Sequence, residues 1–238
     1  VLATTFHGFG VVLLNTLGHH IGLEVDFGIL DEVCHEELLG DIVGQVECEA
    51  LIDIKDPTRT AVHVTQQINY LKDRLIGPAE LKVAIDAWHP ADAEQDAYLR
   101  SLALLRLFER YEALKAERHQ VDFADLISMP QRILNVSHEV RDGVRREFTW
   151  ILVDEYQDVS RSTALFLQQL SGADNPPWVV GDARQAIYRF RGAAPENVSE
   201  FPRDFPGARV FELADNYRSA PPIIAIVNRL AALLETPD

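Results

Sequence analysis

Cysteine is scarce in this chain: Cys34 and Cys48 are the two in 238 residues. They stand in unrelated contexts. One disulfide is available to them, but the expected state is two buried free thiols in a reducing compartment. Long apolar runs are missing as well. None approaches the ~18 residues of a membrane span. No basic flank and apolar core follow Val1, so no secretory signal is read and a cytoplasmic location is the default. The eight histidines fall in no spacing typical of a zinc site. Basic charge is also short, with 22 Lys and Arg against 37 Asp and Glu and a net charge of −15. That sign excludes a protein that coats nucleic acid by charge alone. Any such contact must come from a local groove with stacking rings and a few placed arginines. The excess acid gathers before residue 100, as at Glu24-Val25-Asp26, Glu36-Glu37 and Glu47-Cys48-Glu49, and reads as solvated surface. No internal repeat or low-complexity tract interrupts the chain.

Against those absences stands an ordered pattern. Thr4-Thr5-Phe6-His7-Gly8 leads into an apolar recurrence through Leu17, which predicts a helix entered through a threonine-rich cap. Asp31 is placed to cap a helix over 32–39. Residues 62–76 have a helical pattern that stops at Gly77-Pro78, and Trp88-His89-Pro90 marks a loop. Leu104, Leu107, Phe108, Tyr111 and Leu114 repeat at three and four residues, the strongest helical signal in the chain. A further helix is expected from about 122 to 136. The stretch from about 25 to 130 thus reads as helical, without a strong strand. After it come short apolar runs, Trp150-Ile151-Leu152-Val153 ending in Asp154 and Trp178-Val179-Val180 ending in Gly181-Asp182, with Val210-Phe211-Glu212-Leu213 as a third candidate. Helical segments near 160–171 and 195–201 separate them. Short buried strands alternating with helices predict a parallel α/β sheet, whose ligands sit at the carboxyl ends of the strands.

Three segments carry chemistry. In Val153-Asp154-Glu155-Tyr156-Gln157-Asp158, two acids follow a buried strand directly. Such a pair suits a magnesium nucleotide, one acid holding the ion and the next polarising water; it also suits an acidic helix start. In Gly181-Asp182-Ala183-Arg184-Gln185-Ala186-Ile187-Tyr188-Arg189-Phe190-Arg191-Gly192-Ala193, the Gln185 amide follows a strand end within reach of a terminal phosphate. Tyr188 and Phe190 alternate with arginines, as single-stranded nucleic acid favours, though both rings also fit a core. Asn216-Tyr217-Arg218-Ser219, ahead of Pro221-Pro222, offers a ring and a guanidinium or, equally, a capped helix entry.

Order and spacing decide among these. Strand-DExQD, then strand-GDxxQxIYxFRGA, then LxxNYRS resembles superfamily 1 helicases of the UvrD/Rep/PcrA type. Thr5-Phe6-His7-Gly8-Phe9 is similar to that family's TFHxF segment. Tyr111 followed by Val121-Asp122-Phe123-Ala124-Asp125-Leu126 is similar to its Y…DFxDL stretch. Residues 40–95 carry the least resemblance. The resemblance implies ATP and Mg2+ as cofactors, and single-stranded DNA and duplex junctions as partners. Asp154 would help hold magnesium and Glu155 would be the general base. Gln157 would link the nucleotide site to neighbouring elements, and Gln185 would sense the γ-phosphate. Tyr217 would stack on adenine, and Arg218 would reach the γ-phosphate. Tyr188 and Phe190 would meet single-stranded DNA. Phe190 departs from the tryptophan of many relatives. Arg191 would brace that segment, and Thr5 and His7 would lie near the DNA backbone.

The fold implied is a partial RecA-like P-loop NTPase motor domain with a large helical insertion. Residues 1–25 and 130–205 form the first motor domain, 26–129 the insertion, and 206–238 the start of a second motor domain. No Gly-x-x-x-x-Gly-Lys-Ser/Thr loop occurs. The chain therefore reads as a piece of a longer helicase, inactive by itself because nothing in it cradles phosphates. Three other readings stay open: the motor part of a helicase–nuclease subunit, a non-catalytic DNA-binding or partner-binding module of motor shape, and a metal nuclease using Asp154, Glu155 and Asp158.

Overall fold

A computed structural model describes residues 1–52, 58–172, 175–186 and 196–234. The chain divides into two compact units, residues 1–205 and 206–238.

The first unit begins with α1 (Phe6–Leu17), where the Thr5 hydroxyl accepts from the Gly8 amide at 3.1 Å. Next come β1 (Gly28–Ile29), α2 (Glu32–Val43), α3 (Thr58–Lys72), α4 (Pro78–Asp86) and α5 (Gln95–Glu117). Asp31 caps α2 as expected, through the Cys34 amide at 2.8 Å. Gly77-Pro78 does more than stop a helix. Gly77 caps α4, with its amide bonded to Glu80 at 3.0 Å, and Pro78 opens the helix, the first-turn place where a missing N–H costs nothing. Leu38, Leu39, Ile42, Val64, Ile68 and Phe108 close the core of this helical region.

The chain then returns through β2 (Gln120–Val121) to α6 (Asp125–Val136) and α7 (His138–Glu147). β2 pairs in parallel with β1, Gly28 opposite Gln120 and Ile29 opposite Val121. This pairing escapes a sequence reading because each strand has two residues, too few for an alternation to show. α6 packs on α1 so closely that a Cβ on Gly10 would lie 1.8 Å from the Leu126 carbonyl oxygen. Only glycine permits that approach. Leu13, Ile127, Leu134 and Phe166 seal the core beneath it.

β3 (Leu152–Val153), α8 (Arg161–Leu170), β4 (Trp178–Val179) and α9 (Glu196–Asp204) complete the unit. β3 and β4 are parallel neighbours, Leu152 opposite Trp178 and Val153 opposite Val179. The expectation that they are buried is corrected here. Trp150, Leu152 and Trp178 are 79%, 77% and 59% exposed, because the sheet has two strands among the described residues. α9 is tied back by Asn197 Nδ2 to the Val159 carbonyl at 2.8 Å and by Arg161 to the Asp204 carboxylate.

In the second unit α10 (Pro221–Leu234) is the described element. Residues 210–213 are not a strand, which corrects that expectation; among the described residues no strand pairs with them. The thiols are free, as expected, but Cys34 is exposed and only Cys48 is buried. Among the described residues no helix is long and apolar enough to cross a membrane.

Candidate nucleotide site and nucleic-acid face

The acids after β3 and the loop after β4 meet at one sheet end. The ladder carries past the strands, with the Tyr156 amide donating to the Val180 carbonyl at 2.9 Å. Glu155 turns left-handed there, at φ 52° and ψ 43°, a conformation that costs a side-chain-bearing residue about 1–2 kcal/mol. The turn aims its neighbours in different directions. Asp154 and Glu155 stay exposed, whereas Tyr156 and Gln157 are buried. The two acids therefore sit in water and escape the desolvation cost that burial after a core strand would impose.

Gln157 joins the two segments. Its Nε2 donates to Glu155 Oε2 at 2.6 Å, and its Oε1 accepts from the Asp182 amide at 2.9 Å. Asp182 in turn accepts from Gln185 Nε2 at 2.9 Å and from the Arg184 amide at 3.0 Å. Glu155, Gln157, Asp182 and Gln185 are thus one hydrogen-bonded chain. Gly181 makes this possible, since a Cβ there would come within 2.9 Å of Gln157 Oε1. Asp182 was visible in the sequence as a strand-end residue; its bridging role was not. Exposed carboxylates at the open end of parallel strands suit a hard divalent cation and the phosphates it bridges. The two exposed carboxylates are hard oxygen donors of the kind a magnesium nucleotide takes.

Thr5 and His7 open α1 some distance away in sequence. Burial lowers the His7 pKa, which keeps the ring neutral. Its ring lies 5.7 Å from that of Phe123 at a tilt of 59°, and Phe123 is 55% exposed. Phe123 belongs to the DFxDL stretch but carried no assigned role; a large ring left in solvent beside an expected contact residue marks it now. In the second unit Tyr217 is 94% exposed. The Asn216 carboxamide oxygen accepts from the Arg218 and Ser219 amides at 3.0 and 2.9 Å. Tyr188, Phe190 and Arg191 lie outside the described residues.

The chain belongs to the UvrD/REP helicase family: the model of the UvrD/REP helicase N-terminal domain matches residues 1–206. It is similar to the ATP-dependent DNA helicase Rep of Buchnera aphidicola, 27% identical over 98% of this chain and 33% of that protein. It is also similar to the ATP-dependent DNA helicase UvrD1 of Mycobacterium bovis, 32% identical over 96% of this chain and 29% of the relative. To UvrD2 of the same organism it is 35% identical over 70% of this chain and 23% of the relative. The chain spans about a third of the length of the Rep and UvrD1 relatives.

Proposed function

We propose that this chain is the nucleotide-hydrolysing and DNA-gripping part of an ATP-dependent DNA helicase, a RecA-like P-loop motor that steps along single-stranded DNA and opens duplex at junctions. The hydrogen-bonded chain from Glu155 through Gln157 and Asp182 to Gln185 carries this reading. It ties the candidate general base to the candidate phosphate sensor across two strand ends. The relatives' names and the family's N-terminal domain support it.

In this mechanism Asp154 would hold magnesium, which when bound would supply positive charge against the phosphates. Glu155 accepts a proton from the attacking water. Gln157 fixes the Glu155 carboxylate, and Gln185 contacts the terminal phosphate. Tyr217 stacks on adenine and Arg218 meets the γ-phosphate. Thr5, His7 and the adjoining Phe123 contact single-stranded DNA, as do Tyr188, Phe190 and Arg191. Residues 1–25 and 130–205 form the first motor domain, 26–129 an insertion, and 206–238 the beginning of a second motor domain. A loop that cradles phosphates is required as well. The 238-residue chain by itself therefore turns over no ATP.

The test is DNA-stimulated ATP turnover by the full-length protein. Glu155→Gln lowers kcat by about 10²–10⁴-fold, as removal of a general base does, while a fluorescent ATP analogue still binds. Turnover that survives this change sinks the assignment. Manganese-dependent DNA cleavage without ATP would replace it with a nuclease.

A further inference from the structure

The Tyr111 and Asp122–Asp125 stretch plays no part in the nucleotide site, yet it holds the densest charge cluster among the described residues. Lys72 ends α3, Lys115 lies on α5, and Asp122 and Asp125 stand at the start of α6; these four side chains are 2–6% exposed. Lys72 Nζ lies 2.6 Å from Asp122 Oδ2 and 2.5 Å from Asp125 Oδ1. Lys115 Nζ lies 3.0 Å from Asp122 Oδ2 and 2.5 Å from Asp125 Oδ2. Tyr111 donates its hydroxyl proton to Asp122 Oδ2 at 2.9 Å, and Glu112 meets both ammonium groups from the rim at 3.1 and 2.9 Å. Burial opposes the Asp122 charge, but Lys72 and Lys115 overcome it and hold the carboxyl well below its ordinary range. Glu112, Asp122 and Asp125 come close enough to hold a metal ion, but the two ammonium groups already bridge these carboxylates.

Such a cluster does not recommend itself as glue. Stripping two lysines and two aspartates of water is costly, and apolar residues of like volume often serve stability as well. What ion pairs supply is fixed geometry. Here they fix one short turn. Asp122 and Asp125 also bind each other's amides reciprocally, at 3.0 and 2.9 Å. Between them lie Phe123 and Ala124, and the exposed Phe123 ring stands against His7.

We propose that Lys72 and Lys115 are positioning residues for DNA binding: acting through Asp122 and Asp125, they hold the Phe123 ring beside His7 as a rigid platform for a base of single-stranded DNA. The assignment rests on the reading of the Thr5–His7 edge as a DNA contact. A rigid platform binds without first ordering its own ring, which an unclamped turn would have to do.

The experiment measures oligothymidylate affinity of the full-length protein by fluorescence anisotropy, at a temperature where circular dichroism shows each variant folded. Phe123→Ala weakens binding by about tenfold, the scale of one lost base stack. Lys115→Met weakens it comparably and leaves ATP turnover without DNA unchanged. The double variant binds no worse than Phe123→Ala alone, because both changes remove the same contact. Should Lys115→Met not fold, Lys115→Arg takes its place in the cycle; it keeps the charge but cannot set a point donor between the two aspartates. Additive losses, or unchanged affinity in a folded lysine variant, overturn the assignment and leave the cluster as a staple between helices. An unaltered protein that ignores the oligonucleotide overturns the DNA reading beneath it.

Discussion

At the scale of single residues, His35 shows how burial becomes pH dependence. Its ring stacks on Tyr111 at 4.7 Å, and its Nε2 is buried without a partner among the described residues. Burial, with the Lys72 and Lys115 charges, lowers its pKa from 6.5 to about 4 against the pull of Asp122 and Asp125. Between those values the unfolded chain binds the extra proton, so acidification across the window favours unfolding. Asp73 has the opposite sign. Burial raises its pKa from 3.8 to about 6, so there the folded chain holds the extra proton and acid favours folding. Thermal unfolding followed from pH 7 to 4 should therefore show a shallower acid loss in His35→Phe and a steeper one in Asp73→Asn. Parallel profiles for wild type and both variants would contradict these assignments.

The elements show what a sequence displays and what it hides. The acids after β3, Gln185 after β4 and the Thr5 cap were legible because each is a contiguous string whose neighbours lie within one turn. The link between them was not, since Gln157 and Asp182 are 25 residues apart. Lys72 and Lys115 left a fainter trace. Lys72 continues the buried series Val64 and Ile68, and Lys115 continues Phe108 and Tyr111; a lysine on a buried stripe requires an acid, but the stripe does not say which. α7 went unread because its charged surface shows little apolar repetition, with Val144 its one fully buried residue. The third strand failed because strands depend on neighbours as helices do not. The close approach at the end of β4 yields an element-scale prediction. Gly181→Ala sets a methyl 2.9 Å from Gln157 Oε1 and 3.2 Å from its backbone nitrogen, so the carboxamide that bonds both Asp182 and Glu155 must shift. ATP turnover by the full-length protein should fall about tenfold or more, on the scale of lost catalytic alignment, with the KM for ATP little changed. Wild-type kcat in that variant would show the contact to be idle.

Over the whole molecule, exposed apolar surface is the salient property. Trp150, Leu152, Trp178 and Val180 line up at β3 and β4, and in the second unit Ile223, Ile226, Val227 and Leu230 recur along one side of α10. Contiguous patches of this kind mark surfaces made for contact. The 238-residue chain prepared alone is expected to brighten an anilinonaphthalene dye and to self-associate at micromolar concentration. The full-length protein at equal concentration should do neither. Equal dye response from the two would mean that these side chains stay in solvent in both.

The twisted backbone at Glu155 also bears on how this position tolerates change. Alanine ordinarily outranks glycine in folded proteins, because glycine gives up more freedom on folding. At φ 52° the ranking should invert: Glu155→Gly should melt above Glu155→Ala. Selection for thermal robustness alone would drive this site toward glycine. A carboxylate held in this conformation therefore comes at a cost in stability.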